Sequence, residues 1–165
     1  MVENILVKLF EHNIWANLQI FQACSALSDE QLDAEPQSAT KGTIRRTLLH
    51  LAGSQQGYLA LLSLPLEARP QVRPEFAELR ESMQISGSGL LALAKDEPRT
   101  LSQAQLKTKD GYLVDPWVVM VQVINHATEH REQICSMLTA LGITPPSLDG
   151  WAFGEATGAL TPLSK

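Results

Sequence analysis

The stretch 125-NHATEHREQI-134 places His126 and His130 four residues apart, with Glu129 just ahead of the second. On a helix, residues i and i+4 share a face and can chelate one ion. Neutral imidazole is a common ligand for divalent transition metals. The same residues also read H-x-x-E-H, the inverted zinc-protease pattern, whose glutamate is the general base. That pattern needs a further acidic ligand well downstream. Only Glu132, on the same helix, and Glu155 follow, so the peptidase reading is weak.

On a helix over 119–141 the apolar stripe is Val119, Met120, Val123, Ala127, Ile134, Met137, Ala140 and Leu141. His126 and His130 fall inside it. Burying a polar group without a partner costs a few kcal/mol (about 1–3 from mutational data), so these imidazoles need either an ion or hydrogen-bond partners across the helices. Two ligands do not make a tight site. His50 is one candidate for a third. Its helical face, Thr47, Gly53, Ser54 and Gly57, is built of small residues. Such a face fits room for an ion and a ligand, and fits close helix packing as well. His12, beside Glu11 and Asn13, reads as exposed or hydrogen-bonded, with a smaller chance of lining a site. Glu129 could orient an imidazole from behind, or pair with Arg131 or a lysine and do nothing chemical.

Four long helices must position these groups. The first spans about 2–27, with Leu6, Leu9, Phe10, Ala16, Ile20, Ala23 and Leu27 at helical spacing. Ser28-Asp29 ends it and can cap a short turn through Gln31. The second runs from Thr43, as N-cap, to Leu62. Pro65, Pro70 and Pro74 make 63–74 a loop. The third starts at Pro74 or Glu75 and reaches Lys95 before Pro98. The glycines of 86-SGSG-89 weaken it, each by about 1 kcal/mol against alanine. Residues 100–114 read as a hairpin or extended loop turning at Asp110-Gly111. The fourth is bounded by Asp115-Pro116 and Gly142, with Pro145 and Pro146 beyond. The tail 147–165, with Trp151 and Phe153, is expected to pack back over an all-α, four-helix bundle.

At 165 residues the chain has the size of one domain, 1–165. Its net charge is −5 and it has no basic run, which argues against nucleic acid and against attraction to anionic membranes. No apolar run is long enough to span a bilayer. Charges at Glu3, Lys8 and Glu11 do not fit a signal peptide. Cys24 and Cys135 are too few for a disulfide framework, so the expected compartment is a reducing cytoplasm.

Three segments in this order, 12-HNIWAN-17, 44-IRRTLLHLAGSQQGYL-59 and 126-HATEHREQICSMLTALGITPPSLD-149, resemble the DinB / YfiT-like superfamily, whose members are regarded as metal-dependent enzymes. The resemblance covers nearly the whole chain. It implies a four-helix bundle with a long connection in place of simple up-down order. It implies one divalent ion, often nickel, zinc or iron, held by His50, His126 and His130. It also implies a homodimer, and activities such as thiol-dependent S-transfer or isomerisation. Despite the family's name, nothing in this acidic sequence suggests contact with DNA.

Three imidazoles would leave coordination positions open, the catalytic arrangement. An ion there can polarise a substrate, lower the pKa of bound water, or hold a thiol as thiolate. The expected function is thus a metal-dependent small-molecule enzyme of transferase or hydrolase type, with a low-molecular-weight thiol as a possible second reactant. The alternative is a non-catalytic metal-binding or stress-response protein. Cys24 and Cys135 read as packing residues. Asn13 and Asn17 could face the site, but capping or exposure is at least as common a fate. Trp15, Tyr58 and Trp151 could line a pocket, with core as the default. Arg46 could meet an anion or form a surface pair.

Overall fold

The computed structural model describes residues 4–36 and 41–163. Its elements are α1 (Ile5–Cys24), α2 (Asp29–Leu32), α3 (Ile44–Ser63), α4 (Leu79–Lys95), α5 (Glu97–Leu101), β1 (Leu106–Lys107), β2 (Leu113–Val114), α6 (Pro116–Ala140) and α7 (Gly150–Ala156). Among the described residues, no helix is long and apolar enough to cross a membrane.

Local chemistry sets most boundaries. The α1 helix ends at Cys24 rather than at Leu27. Ser28 must adopt extended backbone to begin α2, and there it forms a full capping box with Gln31. The predicted start of α1 at residue 2 lies outside the described residues. Thr43 caps α3 by accepting from the Arg46 amide. Pro116 occupies the first turn of α6, but Asp115 does not cap it through its side chain. Its Oδ1 accepts from Gln105 Nε2 at 3.1 Å instead. Gly142, at φ +73°, closes α6 in a Schellman motif. The Ile143 amide donates to Leu138 O and the Gly142 amide to Thr139 O.

Two expectations for the middle of the chain need correction. The α4 helix starts at Leu79, later than Pro74 or Glu75, after a 3-10 turn over Phe76–Glu78. The segment before it is held against α3, where Gly53 faces Pro74 and Val72. Thr100 and Leu101 are helical, because Pro98 sits in the first turn of α5 and removes only an amide that had no helical partner. The hairpin itself is present, with Leu106 opposite Val114 and Lys107 opposite Leu113, and Gly111 at φ +93° in its turn. The SGSG run is helical throughout.

The long helices pack α1 on α4, α4 on α3, α3 on α6 and α6 on α1. Chain neighbours α1 and α3 therefore lie across a diagonal, which a simple up-down bundle does not allow. The core has two apolar clusters. One holds Ala16, Ile20, Leu48, Leu51, Leu79, Met83, Ile134 and Leu138. The other holds Phe10, Leu62, Leu90, Ala94, Val119, Met120 and Val123. The order in which each helix visits the two clusters shows that α1 and α6 run one way and α3 and α4 the other. The tail does pack back. Phe153 of α7 meets His12 of α1 edge-on and Trp15 at a tilt, at 5.4 and 5.5 Å between ring centroids. Trp151 is exposed and has no part in that contact.

Candidate metal centre

The α3–α6 interface brings the three histidines together. His50 Nε2 lies 3.0 Å from His126 Nε2, and His130 Nε2 lies 3.1 Å from the same atom. The rings of His50 and His130 are 4.7 Å apart and perpendicular. Nitrogens bound to one ion at about 2.0–2.1 Å stand about 2.8–3.4 Å apart in right-angled to tetrahedral geometry. The spacing fits a first-row divalent cation. Among the described residues this is the group of histidines, cysteines and carboxylates whose atoms could hold a metal. His130 is buried; His50 and His126 are half-buried, so the cluster is reachable from solvent.

Hydrogen bonding fixes the tautomer of His130. Gln133 Nε2 donates to Glu129 Oε1 at 3.4 Å, and Gln133 Oε1 lies 2.8 Å from His130 Nδ1. A carboxylate only accepts, so Gln133 turns its amide nitrogen to Glu129 and its carbonyl to the ring. His130 must then carry its proton on Nδ1 and present the Nε2 lone pair to the cluster. Glu129 thus acts on a candidate ligand at one remove, through Gln133, and is not paired with Arg131.

Protons alone satisfy the cluster poorly. His126 Nε2 has one hydrogen or one lone pair with which to meet two neighbours. Its Nδ1 is buried with no partner among the described residues. If Nε2 carries the proton, Nδ1 is an orphaned acceptor; if it does not, it faces the His130 lone pair. A cation shared by three lone pairs removes the conflict between the Nε2 atoms, so the donor set fits a metal.

Burial pushes the His126 imidazole down from 6.5 to about 4, helped by the neighbouring His130, His50 and Lys41. His50 is lowered for the same reasons, burial first, then His130 and Lys41. At neutral pH both rings are uncharged and ready to ligate. The lowered value also fixes the sign of a pH effect on metal-free protein. Between about 6.5 and about 4 the unfolded chain takes up a proton that folded His126 refuses. Stability is therefore fully present above that window and declines through it as pH falls. Urea denaturation of chelator-treated protein at pH 7 and pH 4.5 is expected to show this decline. In the same comparison His126→Ala should show a smaller one.

Other residues take different places. Tyr58 stands edge-on to His126 at 5.6 Å and accepts from Gln122, which makes it a neighbour of the site. His12 bonds through Nε2 to Leu148 O at 2.7 Å, among α7 contacts. Trp15 belongs to the same α1–α7 contact. Arg46 is exposed, its side chain beside Gly42. Cys24 and Cys135 are free thiols, pushed up by burial to about 12 and about 11, which makes them poor nucleophiles.

Asn13 and Asn17 neither cap nor face solvent. Both are about 1% exposed, and both Oδ1 atoms accept from Arg131 Nη1 at 2.7 Å. Asn17 Nδ2 donates to Gln55 Oε1 at 2.8 Å. Gln55 Nε2 donates to Met83 O and Ser86 Oγ. Sequence reasoning missed Arg131, Gln55 and Gln133. The signal for Arg131 was its place between Ala127 and Ile134 on the apolar stripe, where an arginine must be buried and bonded.

The DinB family model matches residues 1–162. Protein DinB of Bacillus subtilis (strain 168) is 28% identical over 155 residues, covering 86% of this chain and 89% of its own length. A crystal structure described as a candidate DinB family member, from Exiguobacterium sibiricum 255-15, superposes with a TM-score of 0.63. It shares 15% identity and covers 87% of this chain and 97% of its own. A DinB-like protein from Bacillus cereus ATCC 10987 gives 0.60 at 16% identity, over 86% and 94%. At these identities the two structures speak to the fold.

Proposed function

The chain belongs to the DinB family, and from that premise we propose that it binds one divalent metal ion through His50, His126 and His130 and uses it in a reaction on a small molecule. The observation that carries this reading is the convergence of three Nε2 atoms from two helices. A lone i,i+4 pair on one helix would not achieve that.

Each residue then has a task. His50 and His126, neutral because burial disfavours their charged forms, offer lone pairs without first losing a proton. His130 is held in the ligating tautomer by Gln133, which Glu129 braces. Tyr58 screens one side of His126. When bound, the ion would supply Lewis-acid activation and stabilise a thiolate or a deprotonated water. Partial exposure of His50 and His126 supports access for a substrate, which a closed structural site would not need. Thiol-dependent S-transfer and hydrolysis both fit this chemistry, with a low-molecular-weight thiol as co-reactant in the first.

The test is metal content of protein purified without a histidine tag, followed by cobalt substitution. About one ion per chain is expected, with a visible spectrum that shifts when azide or a thiol is added. Zinc or nickel in a hundredfold excess over its dissociation constant should stabilise the fold by about 2.7 kcal/mol, seen as a higher melting temperature. Absence of metal together with unchanged melting would overturn the reading. Bound metal with an unresponsive spectrum would leave a non-catalytic metal protein.

A further inference from the structure

The centre of the bundle holds a polar node that metal binding does not require. Arg131 of α6 is 2% exposed, and it donates to Asn13 and Asn17 of α1 and to Thr128 of its own helix. Asn17, and at 3.5 Å Asn13, donate to Gln55 of α3. Gln55 donates in turn to Met83 O and Ser86 Oγ of α4. All four long helices meet here. Asn13 of α1, Gln55 of α3 and Ser86 of α4 fall between the two apolar clusters.

Three features set this node apart from ordinary core polarity. The guanidinium is buried with acceptors that are all neutral: two amide oxygens and a hydroxyl. No carboxylate bonds to it directly among the described residues, so its charge is met by dipoles. A buried, incompletely compensated charge is a weak way to stabilise a fold, and apolar replacement is often neutral or better. It is, however, a strong way to fix one arrangement, because every other arrangement leaves the charge without its acceptors. The third feature is position. Arg131 directly follows His130, and Gln55 lies five residues after His50. The node links α6 to α1 through Arg131 and α1 to α3 through Gln55, so it spans the α1–α3 diagonal, which direct helix packing leaves open, beside the direct α3–α6 interface that carries the histidines.

We propose that Arg131, with Asn13, Asn17 and Gln55, is a positioning bracket that holds His50 against the His126–His130 pair before any ion arrives. The inference rests on the metal reading for its consequence, but the bracket also exists in the metal-free chain. Such pre-assembly spares the ion the ordering of two helices on binding. Arg131 touches no reacting atom; it acts through the helices that carry the ligands.

The test uses Arg131→Met and Gln55→Met, both apolar and near their originals in length, with Leu32→Ala as a cavity control in the same core outside the node. Zinc affinity by competition, the cobalt spectrum and metal-free melting are measured for each. The bracket variants should lose at least about tenfold in affinity, within the range for groups that orient metal ligands without touching the ion. Their cobalt spectra should move toward that of His50→Ala. Leu32→Ala should lower melting without either change. Nuclear Overhauser contacts between the ring protons of His50 and those of His126 and His130, recorded on metal-free protein, give a readout independent of metal. They should be present in wild type and lost in the bracket variants. Unchanged ring contacts in those variants would overturn the proposal, as would unchanged affinity and spectrum in a chain that binds metal. A wild type that shows the ring contacts but takes up no zinc or cobalt would sink the metal reading and leave the bracket standing on the contacts.

Discussion

The expected result for His126→Ala is a zinc affinity more than about a hundredfold below wild type, beyond what losing a group that only orients a ligand costs, in a protein that still folds. The geometry makes this the most damaging of the three histidine substitutions. Both short nitrogen–nitrogen contacts run through His126 Nε2, so removing it leaves His50 and His130 without the ring that joins them. The fold should tolerate the change. Alanine is the best helix former, and position 126 lies mid-way along α6. The lost ring also carries a buried nitrogen without a partner among the described residues, so its contribution to the metal-free state is small. Titration calorimetry and far-ultraviolet circular dichroism on the same samples check both halves. Zinc binding within threefold of wild type would remove His126 from the ligand set. Helicity lost along with binding would mean that the ring is structural.

The fold was largely legible because its signals are local. Thr43, Ser28, Pro116 and Gly142 each act through their own backbone turn, and all four behave as the sequence suggests. The histidine pair was legible for a related reason: i,i+4 spacing on an apolar stripe puts both rings in one interface whatever the partner helix is. His50 was less so, because a face of small residues suits an ion or a close-packed helix equally. Here it serves both, with His50 in the cluster and Gly53 against Pro74 and Val72. The polar node was hidden in a different way. The Asn pair reads equally as site-facing, capping or exposed, and Gln55 gives no signal, until the third dimension sets the asparagines around one guanidinium with Gln55 behind them. No single helix shows that its polar residue has a partner on three others. The late start of α4 has the same origin, since the long contact of 72–74 with α3 overrides the helix signal at Pro74 and Glu75.

Gly87→Leu carries the largest expected loss of stability, about 3 kcal/mol or more, at or above the top of the range for overpacking a core. Local propensity predicts the opposite, since glycine inside a helix costs about 1 kcal/mol against alanine and leucine is a good helix former. Packing decides. An ideal Cβ at position 87 would lie 2.8 Å from Cγ1 of Ile14, an atom close to the α1 backbone, and 3.5 Å from Gln55 Nε2 in the polar node. The clash can be relieved only by parting α4 from α1, which also strains the bonds from Gln55 to Met83 and Ser86. Gly89 is the internal control. Its Cβ would meet Leu59 at 2.7 Å, but the atom met is a terminal methyl that a rotamer change can move. Gly89→Ala should therefore lie within about 1 kcal/mol of wild type, propensity gain and side-chain shift offsetting one another. Denaturant midpoints for the two variants separate the accounts. Equal effects at 87 and 89 would mean that helix propensity governs α4 and that the close approach of α1 is not a constraint.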